Sequence, residues 1–288
     1  MGLEVDKTAV LTEKKKMTKN KKTSAWDVVS VSRHPKRPIL QDYLSLIFTN
    51  FLELHGDRFF SDDLAMIGGF AEIGDQKVML IGHNKGKKVT ENIARNFGMA
   101  KPDGYRKALR LMKLAERFNI PIVTIIDTPG AFPGLEAEER GQAEAIAKNL
   151  TEMASLEVPV ICVVIGEGGS GGALGIGVGD KILMLSNSIY SVISPEGCAS
   201  ILWRDAAFAP DAAEALNLTA DALLKHGVID EIIEEPGEGA HTNYEKIAES
   251  IKESILRNLD KIKNLSPEEI VQSRFEKFSG MGKFSVNK

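Results

Sequence analysis

The sequence predicts an α/β protein with parallel strand pairing, and three observations carry that expectation. Apolar runs of strand length alternate with amphipathic segments of helix length through the middle of the chain, the order that parallel pairing requires. The strand runs are continuously apolar, as in Val158-Pro159-Val160-Ile161-Cys162-Val163-Val164-Ile165, the pattern of strands covered on both faces. No linker divides the core, so residues 23–288 are expected to form one domain.

The elements follow in chain order. Residues 1–22 carry seven lysines against three acids and few large apolar side chains, which reads as a solvated, flexible arm. Leu40, Tyr43, Leu44, Ile47, Phe48, Phe51 and Leu52 recur at three- and four-residue intervals and predict an amphipathic helix. Ala65 to Ile73 and Lys77 to Gly82 predict a hairpin turning at Gly74-Asp75-Gln76. A basic loop with Lys85, Lys87, Lys88, Arg95 and Lys101 ends at Pro102-Asp103-Gly104.

Next come helix 105–119 and strand 121–126, helix 138–155 and strand 158–165, then a short helix near 172–178 and strand 181–185. Residues 189–193 predict a further strand, 205–226 broken helix, and 228–233 a last strand. Amphipathic helices are expected over 244–262 and 267–278.

Composition narrows the function. A chain of 288 residues with 43% hydrophobic content fills a core, and a formal charge of -4 gives no general attraction to nucleic acid or anionic membrane. Neither is expected as a partner, so an anionic ligand must be held locally. Cys162 and Cys198 sit among apolar or small residues and suit reduced, buried thiols. The absence of an apolar leader or a membrane-length apolar run predicts a cytoplasmic protein.

Two motifs could carry chemistry. Asp127-Thr128-Pro129-Gly130 ends a buried strand with the letters of a GTPase switch, but the G-x-x-x-x-G-K-[ST] string that wraps phosphates is missing. What remains is a turn at a strand's carboxyl end, where ligands of open α/β folds tend to bind. The second motif is the run Gly166 to Gly179, GEGGSGGALGIGVG, between a strand and a helix. Glycines let a ligand approach the backbone, and the free amides at a helix start suit an oxyanion; close helix–strand packing would also explain them.

The same run contains Gly168-Gly169-Ser170-Gly171-Gly172, which satisfies the G-x-S-x-G elbow of α/β-hydrolases, with Asp230 and His241 downstream in the required order. Chance matching is easy in a glycine-rich run, and His241 lies beside Gly237 and Gly239 in an apparent loop. The remaining histidines lack metal-ligand spacing, so no metal site is expected. Glu138-Glu139 beside a helix start reads as dipole compensation.

Five strings together resemble the alpha-subunit family of bacterial acetyl-CoA carboxylase carboxyltransferases, across roughly residues 24–275. They are Asn96-Phe97-Gly98-Met99 leading to Tyr105–Leu111, Ile126–Gly134, Ala137–Gln142, the Gly166 run, and Tyr190–Trp203. The resemblance implies a crotonase-like spiral of β-β-α units with additional N- and C-terminal helices. It implies carboxyl transfer from N-carboxybiotin on a biotin carboxyl carrier protein to acetyl-CoA, giving malonyl-CoA for fatty acid synthesis. It also implies a zinc-bearing beta subunit, a biotin carboxylase and an α2β2 assembly, with no metal in this chain. Carried onto this sequence, the amides of Gly171 and Gly172 would hold the biotin ureido oxygen, with Gly168, Gly169, Gly130 and Ala131 around the cofactor. The beta subunit would hold the thioester, biotin would take the methyl proton, and no nucleophile would be needed.

Overall fold

The computed structural model describes residues 23–282, so the lysine-rich arm proposed for residues 1–22 lies outside the described residues. Helix α1 (Ala25–Ser32) starts at Ser24, whose side chain and that of Asp27 form a capping box. Helix α2 (Leu40–Ile47) leads into strand β1 (Thr49–Glu53). Strands β2 (Met66–Ile73) and β3 (Gln76–His83) form the expected hairpin. Helices α3 (Val89–Ala94) and α4 (Pro102–Arg117) precede strand β4 (Ile122–Thr128). Helices α5 (Leu135–Glu139) and α6 (Gln142–Ala154) lead to β5 (Val160–Gly169), which passes directly into α7 (Ser170–Leu174).

Strands β6 (Lys181–Leu185) and β7 (Ile189–Ser191) follow, then helices α8 (Pro195–Leu202), α9 (Ala209–Leu216) and α10 (Ala220–Lys225). Strand β8 (Glu231–Ile233) and the long helices α11 (Tyr244–Ile262) and α12 (Pro267–Ser279) complete the order. The strands form one sheet in the order β1-β2-β3-β4-β5-β6-β8, antiparallel through β3 and parallel beyond, with β7 paired to the end of β5.

Alternation along the central strands divides the core into two layers, because successive side chains leave a strand on opposite faces. Ile122 and Ile126 of β4 and Val160, Cys162 and Val164 of β5 join Tyr105, Leu111 and Met153 on one face. Val123, Ile125, Ile161, Val163 and Ile165 join Leu40, Tyr43, Ile251 and Ile255 on the other. Both faces are covered, which is why these strands read as unbroken apolar runs. Cys162 and Cys198 are buried free thiols, as expected. No helix among the described residues is long and apolar enough to cross a membrane.

Several elements differ from the sequence expectation. The helix expected through Leu52 ends at Ile47, and Thr49–Glu53 turns back as a strand against β2. Gly69 permits this: a Cβ there would stand 2.0 Å from the Leu52 carbonyl oxygen, so only glycine lets the strands meet. The helix expected over 138–155 divides at Gly141, whose φ of +81° breaks helical geometry. Helices α1, α3 and α8 were not expected, α3 lying within the segment read as a basic loop, and α8 is marked only by Ser194 and Pro195 at its start.

Candidate active site

The glycine run is the end of β5 and the start of α7. Gly168 and Gly169 are strand residues, pairing with Tyr190 and Ser191 of β7, and Gly168 also pairs with Thr128 of β4. Their lack of side chains is steric: a Cβ on Gly169 would be 2.1 Å from the Pro129 carbonyl oxygen, and one on Gly168 would meet the Tyr190 ring at 2.7 Å. Both line a narrow cleft with Arg33, Glu167 and Ser194.

At Ser170, φ of +53° turns the chain sharply out of the sheet. The amides of Gly171 and Gly172 then form no hydrogen bond with any described residue, as the first turn of a helix leaves its donors unpaired. Helix α7 is only five residues long, so these local amides, rather than a macrodipole, are what the turn offers an anion. The peptide joining them is fixed from behind, where the Gly175 amide donates to the Gly171 carbonyl at 2.9 Å.

The two glycines differ in their surroundings. A Cβ on Gly171 would meet only the Ile146 side chain at 3.8 Å, an ordinary contact, and Gly171 with Ser170 borders a cavity of about 420 Å³. That cavity is walled mainly by apolar groups including Leu174, Tyr190, Val192, Leu216, Leu223 and Phe278. A Cβ on Gly172 would stand 2.3 Å from the Gly130 carbonyl carbon and 2.5 Å from the Ala131 nitrogen. Gly172 is therefore pressed against the Gly130–Ala131 peptide, so the packing explanation holds at this position. The Gly130 amide donates to the Thr128 hydroxyl at 3.2 Å, while that hydroxyl donates to the Gly130 carbonyl at 2.7 Å.

Beneath the turn lies a polar cluster that sequence reasoning did not assemble. Asp127 accepts from the Glu167 amide at 3.0 Å and from Lys85 Nζ at 2.7 Å, and Lys85 also lies 3.3 Å from Glu167. Arg33 reaches Glu167 at 2.7 Å and Glu196 at 2.5 Å. Burial alone would lower the Lys85 pKa, but Asp127 and Glu167 outweigh it and raise it. Burial likewise pushes Glu167 up, and the charges of Lys85 and Arg33 more than reverse this, leaving it depressed. Both therefore stay ionised near neutrality.

Three residues of the basic loop have partners within the chain. Lys85 is buried in these ion pairs, Lys87 pairs with Asp42, and Arg95 donates to the Lys85 carbonyl at 3.1 Å. His83 lies fully buried beside them, with Nδ1 accepting from the Asp127 amide at 3.4 Å. Burial and the Lys85 charge push it down to about 3, which the Gly172 carbonyl only partly offsets, so the imidazole is neutral.

The hydrolase triad does not assemble. Asp230 is engaged by Lys277, Lys181 and the Ile182 amide, while the His241 ring stacks on His34 with centroids 3.8 Å apart. Neither residue is among those bordering the cavity beside Ser170.

A mixed sheet whose longest strand ends in two amides with no acceptor among the described residues, Gly171 at the edge of an apolar cavity, is the architecture of a crotonase-fold protein. Comparisons with known proteins agree on the lineage. The family model described as acetyl co-enzyme A carboxylase carboxyltransferase-like matches residues 3–282, and the chain belongs to that family. It is 60% identical over 268 residues to the acetyl-coenzyme A carboxylase carboxyl transferase subunit alpha of Chlorobium phaeovibrioides, covering 91% of this chain and 80% of the relative. It is 55% identical over 284 residues to the same-named subunit of Geobacter metallireducens, covering 97% and 89%.

Among solved structures, the fold is similar to the beta subunit of geranyl-CoA carboxylase from P. aeruginosa, with a TM-score of 0.63 at 18% identity over 86% of this chain. The present chain spans 46% of that longer one. A Pseudomonas malonate decarboxylase hetero-tetramer in complex with coenzyme A contains a chain that matches with a TM-score of 0.60 at 15% identity, covering 75% of this chain and 87% of that one. The crotonase-like fold expected from the resemblance is thus the fold observed.

Proposed function

We propose that this chain is the alpha-type half of an acetyl-CoA carboxylase carboxyltransferase, with residues 23–288 working as one domain in the cytoplasm. It moves the carboxyl group of N-carboxybiotin, presented by a biotin carboxyl carrier protein, to acetyl-CoA, giving malonyl-CoA. The observation that carries this reading is the pair of successive unpaired amides, Gly171 and Gly172, of which Gly171 borders an apolar cavity of about 420 Å³.

The residues present fit a biotin group. When bound, carboxybiotin supplies the carboxyl group that is transferred. The amides of Gly171 and Gly172 would hold the ureido oxygen, and Leu174, Tyr190, Val192, Leu216 and Phe278 would cover the hydrocarbon part. A bound ligand that displaces water from the cavity would strengthen the amide dipoles, since charge stabilisation grows as the local dielectric falls. Losing one such donor costs on the order of a hundred- to a thousandfold in rate. Gly169 lets the Pro129 backbone approach, Gly168 leaves room for the Tyr190 ring, and the Gly130–Ala131 peptide packs against Gly172; these four residues would surround the bound biotin.

Carboxyl transfer develops negative charge on a second substrate as well, the thioester enolate. A separate zinc-bearing beta subunit would supply that second site, in an α2β2 complex served by biotin carboxylase. The test is to combine the purified chain with a carboxyltransferase beta subunit, malonyl-CoA and a biotin derivative and measure acetyl-CoA. Turnover that needs both chains supports the reading; robust turnover by this chain alone refutes it.

A further inference from the structure

The turn that presents the two amides is gripped from below by two residues of neighbouring helices. Tyr105, on α4, is fully buried, and its hydroxyl donates to the Gly172 carbonyl at 3.3 Å. Its ring fills the space under Gly175, where a Cβ would stand 2.7 Å from two ring carbons. Asn149, on α6, donates from Nδ2 to the Gly175 carbonyl at 2.8 Å and to the Tyr105 carbonyl at 3.0 Å. The Gly175 amide closes the circuit by donating to the Gly171 carbonyl at 2.9 Å.

The pair has features that packing alone does not require. Asn149 is buried with its Oδ1 unpartnered, a loss that an apolar side chain of similar shape would avoid. Both of its amide bonds end on this one assembly. Burial pushes the Tyr105 phenol far up, so it remains a donor at every working pH.

We propose that Tyr105 and Asn149 are positioning residues for carboxyl transfer, holding the Gly172–Gly175 turn so that the Gly171 and Gly172 amides keep their place, with Gly171 at the edge of the cavity. This rests on the amide reading above. A displaced donor loses much of its effect, because stabilisation of a developing charge depends on donors fixed before reaction.

The test uses the full chain in complex with a beta subunit and compares Tyr105→Phe and Asn149→Leu with the wild type. The expected result is a loss of kcat of about tenfold, smaller than that for a donor removed outright. KM for malonyl-CoA is expected to be unchanged, and amide exchange at Gly175 faster with little change in melting temperature. Unchanged kcat in both variants would overturn the proposal, as would a loss that tracks the melting temperature while Gly175 exchange stays at the wild-type rate. Gly171→Val, assayed in parallel, separates the two levels: if it is fully active the amide reading falls, and if it is inactive while both variants are fully active only the positioning role falls.

Discussion

The Asp127 carboxylate stands in the space that a side chain on Gly166 would need, with Oδ1 2.4 Å from the position of a Cβ there. It is held there by the Glu167 amide and by Lys85. The β4–β5 register shifts at this point, between Ile126 and Thr128, so the carboxylate acts as a wedge from which the glycine turn departs. Gly166→Ala is accordingly expected to lower unfolding free energy by about 1–3 kcal/mol, the usual cost of overpacking, measured by urea denaturation against wild type.

Gly171 and Gly172 should separate folding from catalysis. Gly172→Ala places a methyl on the Gly130–Ala131 backbone, which no side-chain rotation can relieve, and should lower the melting temperature markedly. The Cβ of Gly171→Val would meet only Ile146, so the variant should fold with a near-native melting temperature, while its side chain obstructs the amide it retains and lowers carboxyl transfer about a hundredfold. Thermal melts and turnover of the two variants, each with the beta subunit, provide the comparison.

His83 makes a pH-dependent contribution of known sign. Its folded value, about 3, lies below its ordinary 6.5, so between these limits the unfolded chain binds the extra proton. Stability from this group is full above about pH 6.5 and falls on acidification, by at most about 1.4 kcal/mol per pH unit. His83→Gln should flatten the dependence of unfolding free energy between about pH 6 and pH 4, and an unchanged slope would contradict the assignment.

Arg274 ties α12 to the end of α6 and the start of β6. Its guanidinium donates to the carbonyls of Met153, Leu156 and Val158 and pairs with Asp180 at 2.8 Å, with the side chain almost wholly buried. Arg274→Met would leave three carbonyls and a buried carboxylate without their partner, and is expected to cost roughly 3–5 kcal/mol in denaturant unfolding.

The sequence pattern made some of this architecture legible and hid other parts for physical reasons. Burial on both faces is a local signal, so β4, β5 and β6 could be read directly from Val, Ile and Leu runs. Strand β1 could not, because Phe51 and Leu52 continue a helical spacing while pairing with β2 across the space left by Gly69 decides their conformation. At the site, the glycine run announced a turn open to backbone approach. It did not reveal that Gly172 packs against Gly130 while Gly171 borders the cavity. Lys85, Asp127, Glu167 and Arg33 come from four separate segments, and no spacing along the chain encodes their meeting. Tyr105 and Asn149 read as ordinary helix positions for the same reason.

The central claim, that backbone amides rather than a side-chain nucleophile serve the transfer, is tested most directly by one assay on the reconstituted complex. Acetyl-CoA formation from malonyl-CoA and a biotin derivative would be followed with wild-type and Gly171→Val chains of matched melting temperature. The account predicts turnover that requires both subunits and falls about a hundredfold in Gly171→Val, the size of effect of one lost donor, because the valine side chain keeps the oxygen from an amide that the variant retains. Undiminished turnover in that variant, with its fold intact, would contradict it.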